Sequence, residues 1–216
     1  MSKVRTVEQA LDPLEDGMTV MFGGFLAVGC PARLVEGIIR KGTRNLTVIV
    51  NDTAFPDRGY GRLFATRQVR KVICCYTGLN QDSVSQKVEG TLEVELCPQG
   101  TLVERIRAGG AGLGGILTPT GVGTVVEEGK ERITVGGRTY LLELPLRADI
   151  AFLRAHLADT GGNLVYRGTA RNFNPVMALA ADYVVAEADH ILAAGSIDPD
   201  RVMTPGILVD AVVGVK

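Results

Sequence analysis

The chain has no tryptophan, and aromatic residues make up only 5% of its 216 positions. It lacks the stacking platform on which single-stranded nucleic acid binds. It also lacks an excess of either charge: 23 Lys+Arg stand against 24 Asp+Glu, a net charge of −1. That balance advertises no surface built to neutralise a phosphate backbone. Histidine is down to two, and the four cysteines, Cys30, Cys74, Cys75 and Cys97, form no C-x-x-C pair. Zinc is short of donors, and no metal is expected. The adjacent Cys74 and Cys75 lie on a predicted strand and read as small apolar core residues in a reducing compartment. No apolar run approaches the ~18 residues of a membrane span, and residues 1–5 begin no apolar signal region. The expectation is a soluble, cytoplasmic protein with neither nucleic acid nor membrane as partner.

What is present is ordinary globular composition, 46% hydrophobic and 22% charged, with a high count of 27 glycines. The length suits one domain over residues 1–216. The most informative stretch is 16–31. Thr19-Val20-Met21-Phe22 is a short apolar run punctuated by Asp16-Gly17 before and Gly23-Gly24 after, which predicts a buried strand. Cys30-Pro31 then opens an amphipathic segment, and proline suits a first helical turn. Strand, glycine-rich loop, helix is the result. Glycine lets a backbone approach a ligand, and free N–H groups at a helix N-terminus attract anions. A plain strand-to-helix connector fits the same spacing.

Along the chain, 6–14 reads as a short helix with Thr6 and Gln9 forming a capping box. A helix over 31–41 ends at Gly42. Strands are predicted at 46–50, 71–76, 92–96, 150–154, 183–188 and 207–213, and helices at 59–65, 81–89, 101–108 (with Thr101 as a cap) and 170–181, the last interrupted near its start by Asn174-Pro175. Alternating strands and helices imply right-handed parallel crossovers, hence an α/β, doubly wound, mostly parallel sheet. Gly136-Gly137 between two strand-like runs marks a small β-hairpin insertion.

Some candidates fail on context. Gly110-x-Gly112-x-x-Gly115 has the letters of a dinucleotide loop but follows a helix. The segment 123–130 has the wrong spacing for a phosphate loop. His156 and His190 are far apart in sequence, and a structural or surface role suits them. Glu93 and Glu95 share one strand face, as a carboxylate pair or as ion-pair partners. Asn51 and Gln99 each follow a predicted parallel strand at a turn. Such amides can donate to a developing oxyanion, or bond their own backbone as turn residues.

Asp-Gly, two residues, three apolar residues, Gly-Gly-Phe, three residues, Gly, one residue, Pro resembles the signature of the first subunit of family I coenzyme A transferases. The segments 92–102, 105–112, 118–121 and 170–174 look like the same family, so the resemblance covers nearly the whole chain. It implies the CoA-transferase fold and assigns Gly23, Gly24, Phe25, Leu26, Ala27, Val28 and Gly29 to coenzyme A binding. It makes Gln99 and Asn51 the candidate catalytic amides. The loop 51–55 is closest to the short-chain type that acts on acetate, butyrate and acetoacetate. The family's mechanism is ping-pong, through a glutamyl-CoA thioester. Its glutamate lies in a Glu-Asn-Gly context on a second subunit, and this chain has no Glu-Asn pair. The resemblance thus implies a hetero-oligomer in which a related second subunit carries the catalytic Glu. Acyl-CoA and a short-chain carboxylic acid are the substrates it implies. The first subunit of a 3-oxoadipate or succinyl-CoA:3-oxoacid transferase, or a non-catalytic CoA-binding regulator, is the alternative.

Overall fold

The computed structural model describes residues 2–215. The elements in chain order are α1 (Val7–Ala10), β1 (Thr19–Phe22), α2 (Ala32–Lys41), β2 (Leu46–Ile49), α3 (Arg62–Ala65), β3 (Val69–Cys74), α4 (Gln81–Val88), β4 (Glu93–Leu96) and α5 (Gln99–Gly110). Then come β5 (Ile116–Thr118), β6 (Arg132–Val135), β7 (Arg138–Glu143), β8 (Ala148–Asp159), β9 (Leu164–Val165), α6 (Asn174–Met177), β10 (Ala181–Leu192) and β11 (Ala211–Gly214).

Seven strands form a parallel sheet in the order β11-β10-β8-β1-β2-β3-β4, and β9 adds antiparallel to β8. The order reverses beside β1, and both faces are covered, as in a doubly wound α/β fold. The alternation of the strands shows it. Val20, Phe22, Val48, Val72, Ile150 and Phe152 pack on one face with α1, α2 and α3. Met21, Ile49, Ile73, Ala151 and Leu153 pack on the other with α5 and α6. Neighbouring strand residues are therefore both apolar, because neither face meets water. Phe22 stacks on Phe152 with centroids 5.1 Å apart and meets Tyr60 at 5.9 Å.

The hairpin is part of a separate three-stranded antiparallel sheet, β5-β7-β6, with Gly136 and Gly137 left-handed at φ 57° and 77°. Ion pairs tie it to the main sheet. Glu143, 3% exposed, holds Lys130 at 2.5 Å and Arg105 at 3.8 Å, and Arg105 reaches Glu95 at 2.9 Å. Lys71 bridges Glu93 and Glu95 at 2.8 and 3.2 Å, so these two glutamates are ion-pair partners on an edge strand.

Several sequence expectations need correction. The helix over 170–181 is absent: a 3-10 turn spans Gly168–Arg171, and α6 is four residues long, with Pro175 at its start. The last strand is shorter than 207–213, because a 3-10 turn occupies Gly206–Leu208. α5 begins at Gln99, two residues before the expected Thr101 cap, and runs through Gly109 and Gly110. A Cβ on Gly109 would sit 2.0 Å from the Leu146 carbonyl oxygen, so a glycine lets this helix pack directly on backbone. The Thr101 hydroxyl is buried and has no partner among the described residues. The capping box at Thr6 and the left-handed Gly42 (φ 73°) are as expected.

Candidate functional site

The C-terminal ends of β1 to β4 open side by side, where ligands of α/β sheets bind. β1 runs into the glycine loop. Phe25 and Val28 exchange backbone hydrogen bonds of 3.0 and 2.9 Å across a two-residue turn. The turn residues Leu26 (φ 48°) and Ala27 (φ 69°) are left-handed without being glycine. Such backbone persists only where its surroundings over-determine it. Three side-chain bonds do so here. The Leu26 N–H donates to Asp52 Oδ2 at 2.9 Å, and the Gly24 N–H donates to Asn172 Oδ1 at 3.0 Å. Asn172 Nδ2 donates to the Val28 carbonyl at 2.9 Å. The Phe25 and Val28 side chains are left exposed on the outer face of the loop.

Just past β2 come Asn51 and Asp52, both 2% exposed. Asn51 Nδ2 donates to Asp52 Oδ2 at 2.7 Å, and Asn51 Oδ1 accepts from Gln99 Nε2 at 2.6 Å. Gln99 reaches Asn51 from the first turn of α5, 48 residues further on. Cys75, just past β3, completes the group: its Sγ donates to the Asn51 backbone carbonyl at 2.5 Å and lies 3.1 Å from Asn51 Oδ1. Cys75 packs against one of the two core clusters, as expected, but unlike its neighbour it also borders this group. Cys74 is fully buried, whereas Cys75 is half-buried and faces the site. Burial first, and the Asp52 carboxylate next, push the Cys75 thiol up to about 11.

At the start of α2, two of the N–H groups that an anion would need are already taken. Pro31 gives no side-chain cap. Instead Glu187 of β10, 1% exposed, accepts from the N–H groups of Arg33 and Leu34 at 2.8 and 3.0 Å. Its other oxygen pairs with Arg154, which also pairs with Asp189. Anion binding at that terminus is thus pre-empted by the protein's own carboxylate. The loop's remaining wall borders an open cleft of about 780 Å³ lined by Gly29, Arg154, His156, Arg167 and His190, among others. β8 and β10 are paired, so His156 and His190 meet edge to face at 5.5 Å despite their sequence distance.

Comparison with known proteins decides the family. Residues 4–214 match the family model for Coenzyme A transferase. The acetate CoA-transferase subunit alpha of Escherichia coli K12 is 52% identical over 98% of this chain and 96% of its own length. The acetoacetyl-CoA:acetate/butyrate CoA transferase alpha subunit of Clostridium acetobutylicum is 47% identical over 98% of this chain and 97% of its own. The chain belongs to the coenzyme A transferase family. Among solved structures, an acyl-CoA transferase from E. coli O157:H7, in a thioester complex with CoA, shares the fold with a TM-score of 0.88 at 23% identity. The match takes in 99% of this chain but only 47% of that one, about half its length.

Within this CoA-transferase chain, the residues singled out from sequence fall into one neighbourhood. Asn51 and Gln99 touch, and the 23–29 loop is joined to Asn51 through Asp52. Four contributors were missed: Asp52, Cys75, Glu187 and Asn172. Asp52 had its position in the 51–55 loop as a signal, and Asn172 lay in a segment already resembling the family. Glu187 had none, because a carboxylate in a strand is normally a solvent-facing residue.

Proposed function

We propose that this chain is the first, alpha-type subunit of a short-chain acyl-CoA:carboxylate CoA-transferase that moves CoA among acetate, butyrate and acetoacetate. The alpha subunits named above support the acid class. The observation that carries the site assignment is the Asn51–Gln99 contact of 2.6 Å beside the glycine loop. It is a neutral amide pair at the open edge of the sheet, and the thiol beside it, Cys75, is pushed up to about 11 and so stays protonated near neutral pH. Asp52, the carboxylate of this cluster, is buried and already accepts from Leu26, Asn51 and Ala54. A glutamate from a second subunit, in a hetero-oligomer, therefore supplies the attacking carboxylate.

The partner's glutamate attacks the thioester carbonyl, and the tetrahedral oxyanion expels CoA thiolate, leaving an acyl-glutamyl anhydride. The thiolate attacks the glutamyl carbonyl, which releases the first carboxylate and leaves a glutamyl-CoA thioester. The second acid then reverses both steps. Gln99 keeps one Nε2 proton free of Asn51, and that proton donates to the developing oxyanion. The backbone of residues 23–29 lies along CoA, with Phe25 and Val28 as its apolar contacts. Binding energy from the distant parts of CoA helps drive the reacting carbon toward its transition state. The cytoplasm, where acyl-CoA is at hand, is the setting.

Co-purification with a Glu-Asn-Gly-bearing second subunit, followed by an acid screen with acetyl-CoA, tests the assignment. The complex should transfer CoA to short-chain acids and form a hydroxylamine-sensitive adduct on the second subunit alone. Turnover by this chain without any partner, or a preference for 3-oxoadipate or succinate, would refute it.

A further inference from the structure

We propose that Asp52 is the positioning residue of this site, setting which way its amides point. The proposal rests on the reading of Asn51 and Gln99 given above. A carboxylate only accepts hydrogen bonds, whereas a side-chain amide offers a donor end and an acceptor end of nearly the same shape. Asp52 is 2% exposed, so its partners are fixed by the protein. Oδ1 accepts from the Ala54 N–H at 2.7 Å, with the Tyr60 hydroxyl 3.5 Å away. Oδ2 accepts from the Leu26 N–H at 2.9 Å and from Asn51 Nδ2 at 2.7 Å.

Whatever faces Oδ2 must be a donor. Asn51 therefore turns its NH2 toward Asp52 and its Oδ1 away. That oxygen in turn makes Gln99 present its own NH2, at 2.6 Å. Gln99 Oε1 and the second Nε2 proton are left for other groups. One buried carboxylate thus decides the polarity of the chain Asp52–Asn51–Gln99. The same Oδ2 anchors Leu26 in its left-handed conformation (φ 48°), so the glycine loop and the amide pair share a single point of attachment. Ala54, itself left-handed at φ 51°, is held from the other oxygen.

An asparagine at position 52 has the same outline but cannot do this. It has one acceptor for three donors, and its NH2 must oppose an N–H. The cheapest relief is for Asn51 to flip, which turns Asn51 Nδ2 onto Gln99 Nε2 and breaks the chain.

The test is a double-mutant cycle in the two-subunit enzyme, with Asp52→Asn, Gln99→Ala and the pair. Asp52→Asn should lower kcat by about tenfold or more, with KM for acyl-CoA changed by less than about threefold. Adding Gln99→Ala should then lower kcat by less than about threefold more, since Gln99 has already lost its orientation. A merely structural role gives losses that multiply. Multiplying losses, or an Asp52→Asn enzyme within about threefold of wild type, overturn the proposal. A second readout needs no turnover. In the 15N-labelled complex, one side-chain amide proton each of Asn51 and Gln99 should exchange slowly, and Asp52→Asn should abolish that protection. If Asp52→Asn does not assemble, the wild-type spectrum decides: freely exchanging Asn51 amide protons overturn the proposal. A wild-type complex that moves no CoA removes the functional reading, and the spectrum still decides the role of Asp52.

Discussion

Glu187 accepts a hydrogen bond from the Leu34 N–H at 3.0 Å, although 153 residues separate them. A residue of β10, one strand in from the sheet's edge, thereby caps the helix that follows the glycine loop. Burial drives the Glu187 carboxyl upward; the Leu34 N–H, Arg154 and the Arg33 N–H pull against that rise. Replacing it by alanine leaves two helix N–H groups and the half-buried Arg154 short of a partner. Breaking a buried pair in this way costs about 3–5 kcal/mol, so Glu187→Ala should lower the denaturant midpoint sharply. A loss below about 1 kcal/mol would show that water replaces the carboxylate without penalty.

Gln99→Ala isolates the chemistry from the fold. Gln99 lies exposed in the first turn of α5, and its described side-chain bond is the one to Asn51. Removing an oxyanion donor costs about 3 kcal/mol of transition-state stabilisation, so turnover in the complex should drop by roughly a hundredfold while CoA affinity holds. An equal loss in both would return Gln99 to a packing role.

The adjacent loop glycines Gly23 and Gly24 should respond differently. A Cβ on Gly23 would sit 1.8 Å from Asn174 Oδ1, inside the bond network that holds the loop. Gly23→Ala should destabilise the chain by about 1–3 kcal/mol or more through overpacking, whether or not ligand is present. Gly24 sits at φ 135°, with space for a Cβ only up to contact with Tyr60 at 3.0 Å. Gly24→Val adds backbone strain of about 1–3 kcal/mol and should raise KM for acyl-CoA, because it displaces Phe25. Kinetics unchanged in Gly24→Val would mark the loop as a connector.

Cys75 gives a pH signature. Its ordinary value is 9.0 and its folded value about 11, for burial and because Asp52 repels a thiolate. Below the lower figure the thiol is protonated in both folded and unfolded chains. Between the two, the unfolded chain loses the proton first, so the contribution of Cys75 to stability falls as pH rises. Alkylation by iodoacetamide should be slow at neutral pH and accelerate only as the pH nears the upper figure. Brisk labelling of Cys75 near pH 8 would contradict this.

The sheet was legible because its strands are short apolar runs between glycine, proline and asparagine, and because helices separate them. The signature at 16–31 located the loop, and Asn51 and Gln99 stood out as amides at strand ends. Residues 170–181 misled: the apolar spacing is helical, but Asn172 and Asn174 bond the glycine loop instead of the helix backbone. Thr101 misled as well, since Gln99 and Gly100 are already helical and leave it inside the first turn. The role of Glu187 and the meeting of His156 with His190 depend on strand order, which local spacing does not encode. The same holds for Cys75: β3 ends at Cys74, so the next residue lies at the open edge of the sheet beside Asn51.

The bond from the Gly24 N–H to Asn172 spans 148 residues. During synthesis the loop leaves the ribosome long before its anchor exists. The first strands can pair as they emerge, but the left-handed turn at Leu26 and Ala27 gains its Asn172 bonds only after residue 172 has been made. Anchoring of the loop is therefore a late event in the life of the nascent chain, decoupled from its early collapse. Fragments that stop short of that residue, however well their first strands pair, should be blind to CoA.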